Sequence, residues 1–170
     1  MEDIIKEIEI ALDNGLYLLA LQCCIILPDI CAALESENGE NNPNKYKNWY
    51  NKYIGDKLSG NLSADDCYNF RCTIVHQAKA FSNSKKNPSY SRIVFSLPNR
   101  QNTMLHDNIL GDVLNLDLVY FCRGMIKIVK AWKLQMEETE NDFYQKNCKS
   151  MIRFYPNGVS GYVMGIPCIG

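Results

Sequence analysis

The sequence predicts an all-helical bundle with a small extended or β insert, and three observations carry that expectation. Apolar residues recur at spacings of three and four through most of the chain, which is the helical period. Helix boundaries are marked by Asn14-Gly15, a stop signal, and by Ser63, a start signal. A two-residue period occurs only where Ile93, Phe95 and Leu97 alternate with Val94 and Ser96, and Pro98 closes that stretch. With 170 residues, 46% of them hydrophobic, the chain is expected to form a single domain over 1–170, with a basic insert near 82–106 and an uncharged tail over 154–170.

Taken in order, residues 2–13 read as an amphipathic helix. Ile4, Ile5, Ile8 and Leu12 lie on one side, and Glu2, Lys6, Glu9 and Asp13 on the other. A long apolar helix follows at about 16–35, which Pro28 should kink or divide. Its 14 charge-free residues, Gly15 to Pro28, fall short of the roughly 20 that a bilayer span needs, so a buried core helix is expected and no membrane role. After the polar loop 36–44 comes a short aromatic helix near 45–54, with Tyr46, Trp49, Tyr50 and Tyr53. Ser63, with Asp66 three residues on, is a variant capping box that opens a helix over 64–80. A polar loop at 82–90 leads to the extended segment. From about Leu110 to Asn147 the pattern reads as helix again, with Leu114, Leu118, Phe121, Met125 and Val129 as a core stripe. The tail suits either a packed strand or a loose end.

Eight cysteines are present: Cys23, Cys24, Cys31, Cys67, Cys72, Cys122, Cys148 and Cys168. Several sit in apolar helical stretches, where cysteine acts as a small hydrophobe. The N-terminus is acidic and helical, unlike a secretory leader. Reduced thiols and a cytoplasmic location are therefore expected.

The formal net charge of −1 hides a strong asymmetry. Residues 1–66 hold 5 Lys/Arg and 12 Asp/Glu, whereas 67–106 hold 6 Lys/Arg and no acid, and 107–170 hold 7 of each. The middle stretch carries Arg71, Lys79, Lys85, Lys86, Arg92 and Arg100, with Tyr68, Phe70, Phe81 and Tyr90 interleaved. Such a run suits a surface that receives phosphates and stacks bases, or else a solvated basic loop.

Within it lies Arg71-Cys72-Thr73-Ile74-Val75-His76. Histidine gives or takes a proton near neutrality, and arginine braces a phosphate with parallel hydrogen bonds. On one helix, positions five apart differ by about 140° and roughly 7.5 Å, so both side chains can border a cleft without covering each other. A structural alternative pairs Arg71 with Asp65, Asp66 or a more distant carboxylate. His106, between Leu105 and Asp107 in a polar loop, reads as a surface residue.

The stretch from Tyr68 to Gln77 resembles the motif region of the HEPN family, small helical domains that carry Arg, four to six residues, then His. The preceding apolar helix fits that family's helical hairpin. The resemblance implies a homodimer with two motifs facing each other, and a metal-independent endoribonuclease that cleaves RNA by 2′-hydroxyl attack, as in toxin or defence systems with a protein antitoxin or regulator. On that reading Arg71 and His76 are catalytic. Lys79, Lys85, Lys86 and Arg92, from the basic run, bind RNA, and no cofactor or metal is needed. Where many of these nucleases have Asn, Asp or His after the Arg, this chain has Cys72. The alternative is thus a catalytically inactive HEPN-like dimer that binds nucleic acid or protein. Cys67, Cys72 and His76 lack a close Cys-Cys pair, so a zinc site is not expected. No phosphate-binding glycine loop is present.

The thiol reading is directly testable. Alkylation under denaturing conditions without reductant should modify most cysteines by intact mass, and two or more native disulfides would overturn the reducing-compartment assignment.

Overall fold

Helix α1 (Glu2–Asp13) buries Ile5, Ile8, Ala11 and Leu12 and stops at Asn14, after which Gly15 adopts a φ of +72° that reverses the chain. The computed structural model to which these elements belong describes residues 1–78, 89–99 and 104–170. Pro28 divides the long apolar segment as expected, into α2 (Tyr17–Ile25) and α3 (Leu27–Leu34). By length and composition Tyr17–Leu34 passes as a membrane span, with a mean hydropathy of 2.0, yet half of it is buried inside the fold as a core helix is. Asn42 caps α4 (Pro43–Trp49) by accepting the Lys45 amide. The chain then widens into a π-helical turn (Tyr50–Ile54) that sends Tyr50, Tyr53 and Ile54 inward, and tightens again through Gly55–Lys57. Ser63 accepts the Asp66 amide and opens α5 (Ala64–Gln77), which ends where Ala78 turns left-handed. The expected extension of this helix to residue 80 lies outside the described residues.

The all-helical expectation requires correction. Among the described residues about 55% are helix and about 13% strand. Strands β1 (Arg92–Ser96), β2 (Asn108–Leu110) and β3 (Val113–Asp117) form a sheet ordered β1-β3-β2, with β1 and β3 parallel and β2 antiparallel to β3. The strand predicted at Ile93 is therefore present, but Leu114 belongs to a strand rather than a helix. Leu114 and Leu116 alternate into the core, opposite Ile93 and Phe95. Helix α6 (Leu118–Glu138) begins directly after β3, capped by Asp117 on the Tyr120 amide. Leu114 and Leu118 therefore fall four apart across a strand–helix junction. The expected run to Asn147 also breaks at Glu140, at a φ of +48°, before α7 (Asp142–Cys148). The tail forms two small ribbons: β4 (Phe154–Tyr155) with β7 (Cys168–Ile169), and β5 (Gly158–Val159) with β6 (Val163–Met164).

Helix α6 supplies the core axis, burying Phe121, Cys122, Met125, Ile126, Val129 and Trp132. Trp132 meets Trp49, Tyr53 and Tyr144 at ring separations of 5.8, 6.5 and 5.5 Å. Two polar groups of this cluster, the Tyr53 hydroxyl and the Trp132 indole, converge on Glu35, just past α3, whereas the Trp49 indole N–H is buried with no partner among the described residues. One carboxylate oxygen accepts from Lys52 (2.6 Å) and from the Tyr53 hydroxyl (2.9 Å), and the other accepts from the Trp132 indole (3.1 Å). A Cβ at Gly124 would meet the end of the Leu58 side chain, which packs directly on α6 at this point. Across the bundle, α1 faces α6 through three ion pairs: Glu2–Lys133, Glu9–Lys130 and Asp13–Arg123. All eight cysteines are free thiols.

His106 is a strut rather than a surface residue. Its Nδ1 accepts the Asp117 amide at 3.1 Å, so the proton lies on Nε2, which donates to the Leu58 carbonyl at 2.6 Å. Asp107 continues the tie. Its carboxylate accepts from the Ser59 hydroxyl and from the Gly60 and Asn61 amides, at a φ of +58° that Asp and Asn tolerate. Desolvation opposes the Asp107 charge, but these bonds outweigh it and hold its carboxyl below the usual range.

Asp107→Asn should therefore destabilise the protein by about 1–2 kcal/mol at neutral pH, read by urea unfolding. Because the folded-state value is depressed, the advantage of Asp107 is present above about pH 4 and fades as pH falls through the folded value. The gap between wild type and variant should shrink on acidification.

Candidate functional site

Arg71 and His76 both lie on α5, one and a half turns apart, with Arg71 half-buried and His76 exposed near the helix end. Arg71 is not free. Its Nε donates to Asp29 Oδ2 at 2.6 Å, with only 20% and 13% of the two side chains accessible. Its guanidinium also lies 5.5 Å from the Tyr68 ring, and Nη1 reaches Cys72 Sγ at 3.6 Å. Asp29 sits in the first turn of α3, where the helix dipole favours a carboxylate. Asn41, from the loop before α4, donates to its other oxygen, and the Asn41 Oδ1 is buried with no partner among the described residues.

Electrostatically the two partners differ. Burial raises the Asp29 carboxyl above its ordinary range, while Arg71, Asn41 and the charge of His76 pull it back. Burial also works against the Arg71 charge, but the Asp29 bond outweighs it and strengthens the guanidinium's hold on its proton. The structure brings Asp29, Asn41 and Arg71 together, while His76 stands exposed farther along α5 and has only the weakest of these effects on Asp29.

The other expected site residues fare unevenly. Arg92 is exposed on β1. Lys79, Lys85 and Lys86 lie outside the described residues, as do Phe81 and Arg100. Of the aromatics expected to stack on bases, Phe70 is buried and packs on Phe95 at 5.4 Å, which in turn packs on Phe121. Tyr90 is tied by its hydroxyl to Asn61. These rings serve the core and its edge. Of the carboxylates that the structural alternative offered Arg71, the distant one holds it, as Asp29, while Asp65 pairs with Lys47 and Asp66 accepts from the Ser63 hydroxyl. Among the described residues no three His, Cys, Asp or Glu groups cluster as metal ligands.

Sequence reasoning missed Asp29 and Asn41. Asp29 had a signal: it is the single charge between Asp13 and Glu35, and an isolated charge in an apolar run calls for a buried partner. Asn41 had none, since it sits among equivalent asparagines at 38, 42 and 44. Comparison with protein-family models, with curated proteins and with solved structures finds no match to this chain.

Replacing Arg71 by Met leaves Asp29 unpaired in a partly buried place and should reduce stability by roughly 2–3 kcal/mol at pH 7. The deficit should nearly vanish below about pH 4, where Asp29 is protonated folded and unfolded alike. The sign follows from a raised folded-state value: Asp29 favours the fold most at low pH and loses that contribution as pH rises. Urea unfolding of wild type, Arg71→Met and Asp29→Asn/Arg71→Met checks it, with the double variant losing less than the single one.

Proposed function

We propose that this protein is a metal-independent endoribonuclease of HEPN type, acting as a homodimer in the cytoplasm. The observation that carries the reading is how Arg71 is held: Asp29 accepts from Nε, the Nη groups are hydrogen-bonded to no carboxylate among the described residues, and His76 stands exposed on the same helix. An anchored guanidinium is preorganised for a phosphate, since its orientation is set before the ligand arrives.

In the proposed step His76 takes the proton of a ribose 2′-hydroxyl, and O2′ attacks the adjacent phosphorus. The P–O5′ bond breaks, leaving a cyclic phosphate and a 5′-hydroxyl whose proton comes from the protonated His76 of a second protomer. Arg71 of each chain stabilises the charge on the phosphoryl oxygens. Within one helix the offset of about 140° separates the two groups, and a twofold axis beside α5 supplies the complementary pair. Val75, exposed next to His76, suits that contact. Lys79, Lys85, Lys86 and Arg92 guide the RNA backbone, and a protein antitoxin or regulator holds the nuclease in check.

A second reading is a non-cutting HEPN-like module that binds nucleic acid or protein. The shielded Arg71–Asp29 pair favours it, because the same pair stabilises α3 against α5 with no substrate present.

The two separate in one assay. Purified protein should cleave total RNA in EDTA to cyclic-phosphate ends, and His76→Ala, at an exposed position, should lower the rate by roughly 10²–10⁴-fold without altering the fold. Mixed Arg71→Ala and His76→Ala chains should regain part of the activity. RNA binding without cleavage assigns the second reading, and a monomer that cleaves RNA rules out the shared site.

A further inference from the structure

A cavity of about 890 Å³ lies away from Arg71 and His76, lined by α6, by Tyr53, Lys57 and Leu58, and by Pro98, Asn99 and Met104, with no residue of α3 or α5. Its volume is in the range of small-molecule sites, roughly 300–1,000 Å³. Along α6 the lining follows one helical face: Tyr120, Gly124, Ile128, Ala131 and Gln135. At 1.5 Å per residue that face runs for about 22 Å, so the cavity is a groove rather than a round hole.

Its chemistry divides in two. The floor is hydrocarbon. Tyr53 and Trp132 both line it, and both direct their polar atoms to Glu35, so neither hydroxyl nor indole N–H serves the groove. Leu58, packed on α6 at Gly124, completes the floor with Ile128 and Ala131. The rim is cationic: Lys57, Arg123 and Lys127. Lys57 donates to the Tyr53 carbonyl, which leaves its charge uncompensated, and Arg123 shares an exposed pair with Asp13. Lys127 has no hydrogen-bond or ion-pair partner among the described residues, although Arg123, Lys130 and Lys133 beside it on α6 each meet an acid of α1. Asp117, the acid of the lining, is engaged as the α6 cap.

We infer that this groove binds an aliphatic anion, a hydrocarbon chain ending in a carboxylate or a phosphate. The chain lies along Ile128 and Ala131, and the head group meets Lys127, Arg123 and Lys57. The site is independent of the α5 chemistry.

The full-length protein is titrated with dodecanoate, dodecyl phosphate, dodecanol and AMP, below micelle-forming concentrations, following tryptophan fluorescence. Saturable binding of one or both anionic amphiphiles supports the assignment, and their relative affinity tells carboxylate from phosphate. Two variants at exposed positions locate the site. Ala131→Phe, which fills the groove, should weaken binding by at least about tenfold, and Lys127→Glu by roughly fivefold. Circular dichroism confirms that both fold. No binding of either amphiphile, equal binding of dodecanol, preferential binding of AMP, or unchanged affinity in folded Ala131→Phe would each overturn it.

Discussion

The fold turns on one carboxylate. Glu35 receives donors from Lys52, Tyr53 and Trp132, and so ties the end of α3, the π-helical turn and α6 together. Leaving the Trp132 indole N–H and the Tyr53 hydroxyl buried without acceptors would cost about 1–3 kcal/mol for each orphaned group. Glu35 satisfies both at once and fixes the orientation of the rings. The aromatic cluster of Trp49, Tyr53, Trp132 and Tyr144 then packs edge to face or tilted. The same arrangement decides what the neighbouring groove presents, since rings whose polar atoms face inward show hydrocarbon outward.

The Arg71–Asp29 pair works by a different logic. A half-shielded pair between α3 and α5 adds little to net stability, because desolvation offsets attraction, but losing either partner strands a charge. What the pair does supply is direction: the guanidinium is held by one nitrogen, on the helix that carries His76.

The legibility of the chain follows the range of the interactions involved. The helix stop at Asn14-Gly15, the break at Pro28 and the Ser63 cap are local, set by a few neighbouring residues, and all three stand in the structure. Strand β3 was misread because Leu114 and Leu118 happen to fall four apart across a strand–helix junction, and parallel pairing with β1 is a non-local fact. His106 read as a surface residue because its two partners, Leu58 and Asp117, are 48 and 11 positions away. The acid-free stretch 67–106 illustrates the same point for charge. Asp29 and the loop held by Asp107 lie against it in space, so absence of acids in sequence does not make an acid-free surface. The helix that carries Arg71 and His76 was readable from its Ser63 cap, whereas the carboxylate that holds Arg71 comes from another helix.

The facing of α1 and α6 has a consequence for encounters with other molecules. The acid-rich N-terminal helix lies along the base-rich helix near the other end of the chain, matching Glu2, Glu9 and Asp13 with Lys133, Lys130 and Arg123. Charges that are segregated in sequence are thereby interleaved in space, and their fields cancel beyond a screening length of about 8 Å at physiological ionic strength. This face therefore projects little long-range attraction toward a polyanion. Association through this face proceeds without electrostatic guidance, in the regime of about 10⁵–10⁶ M⁻¹s⁻¹. Discrimination between partners then rests on contact chemistry and residence time rather than on capture from a distance.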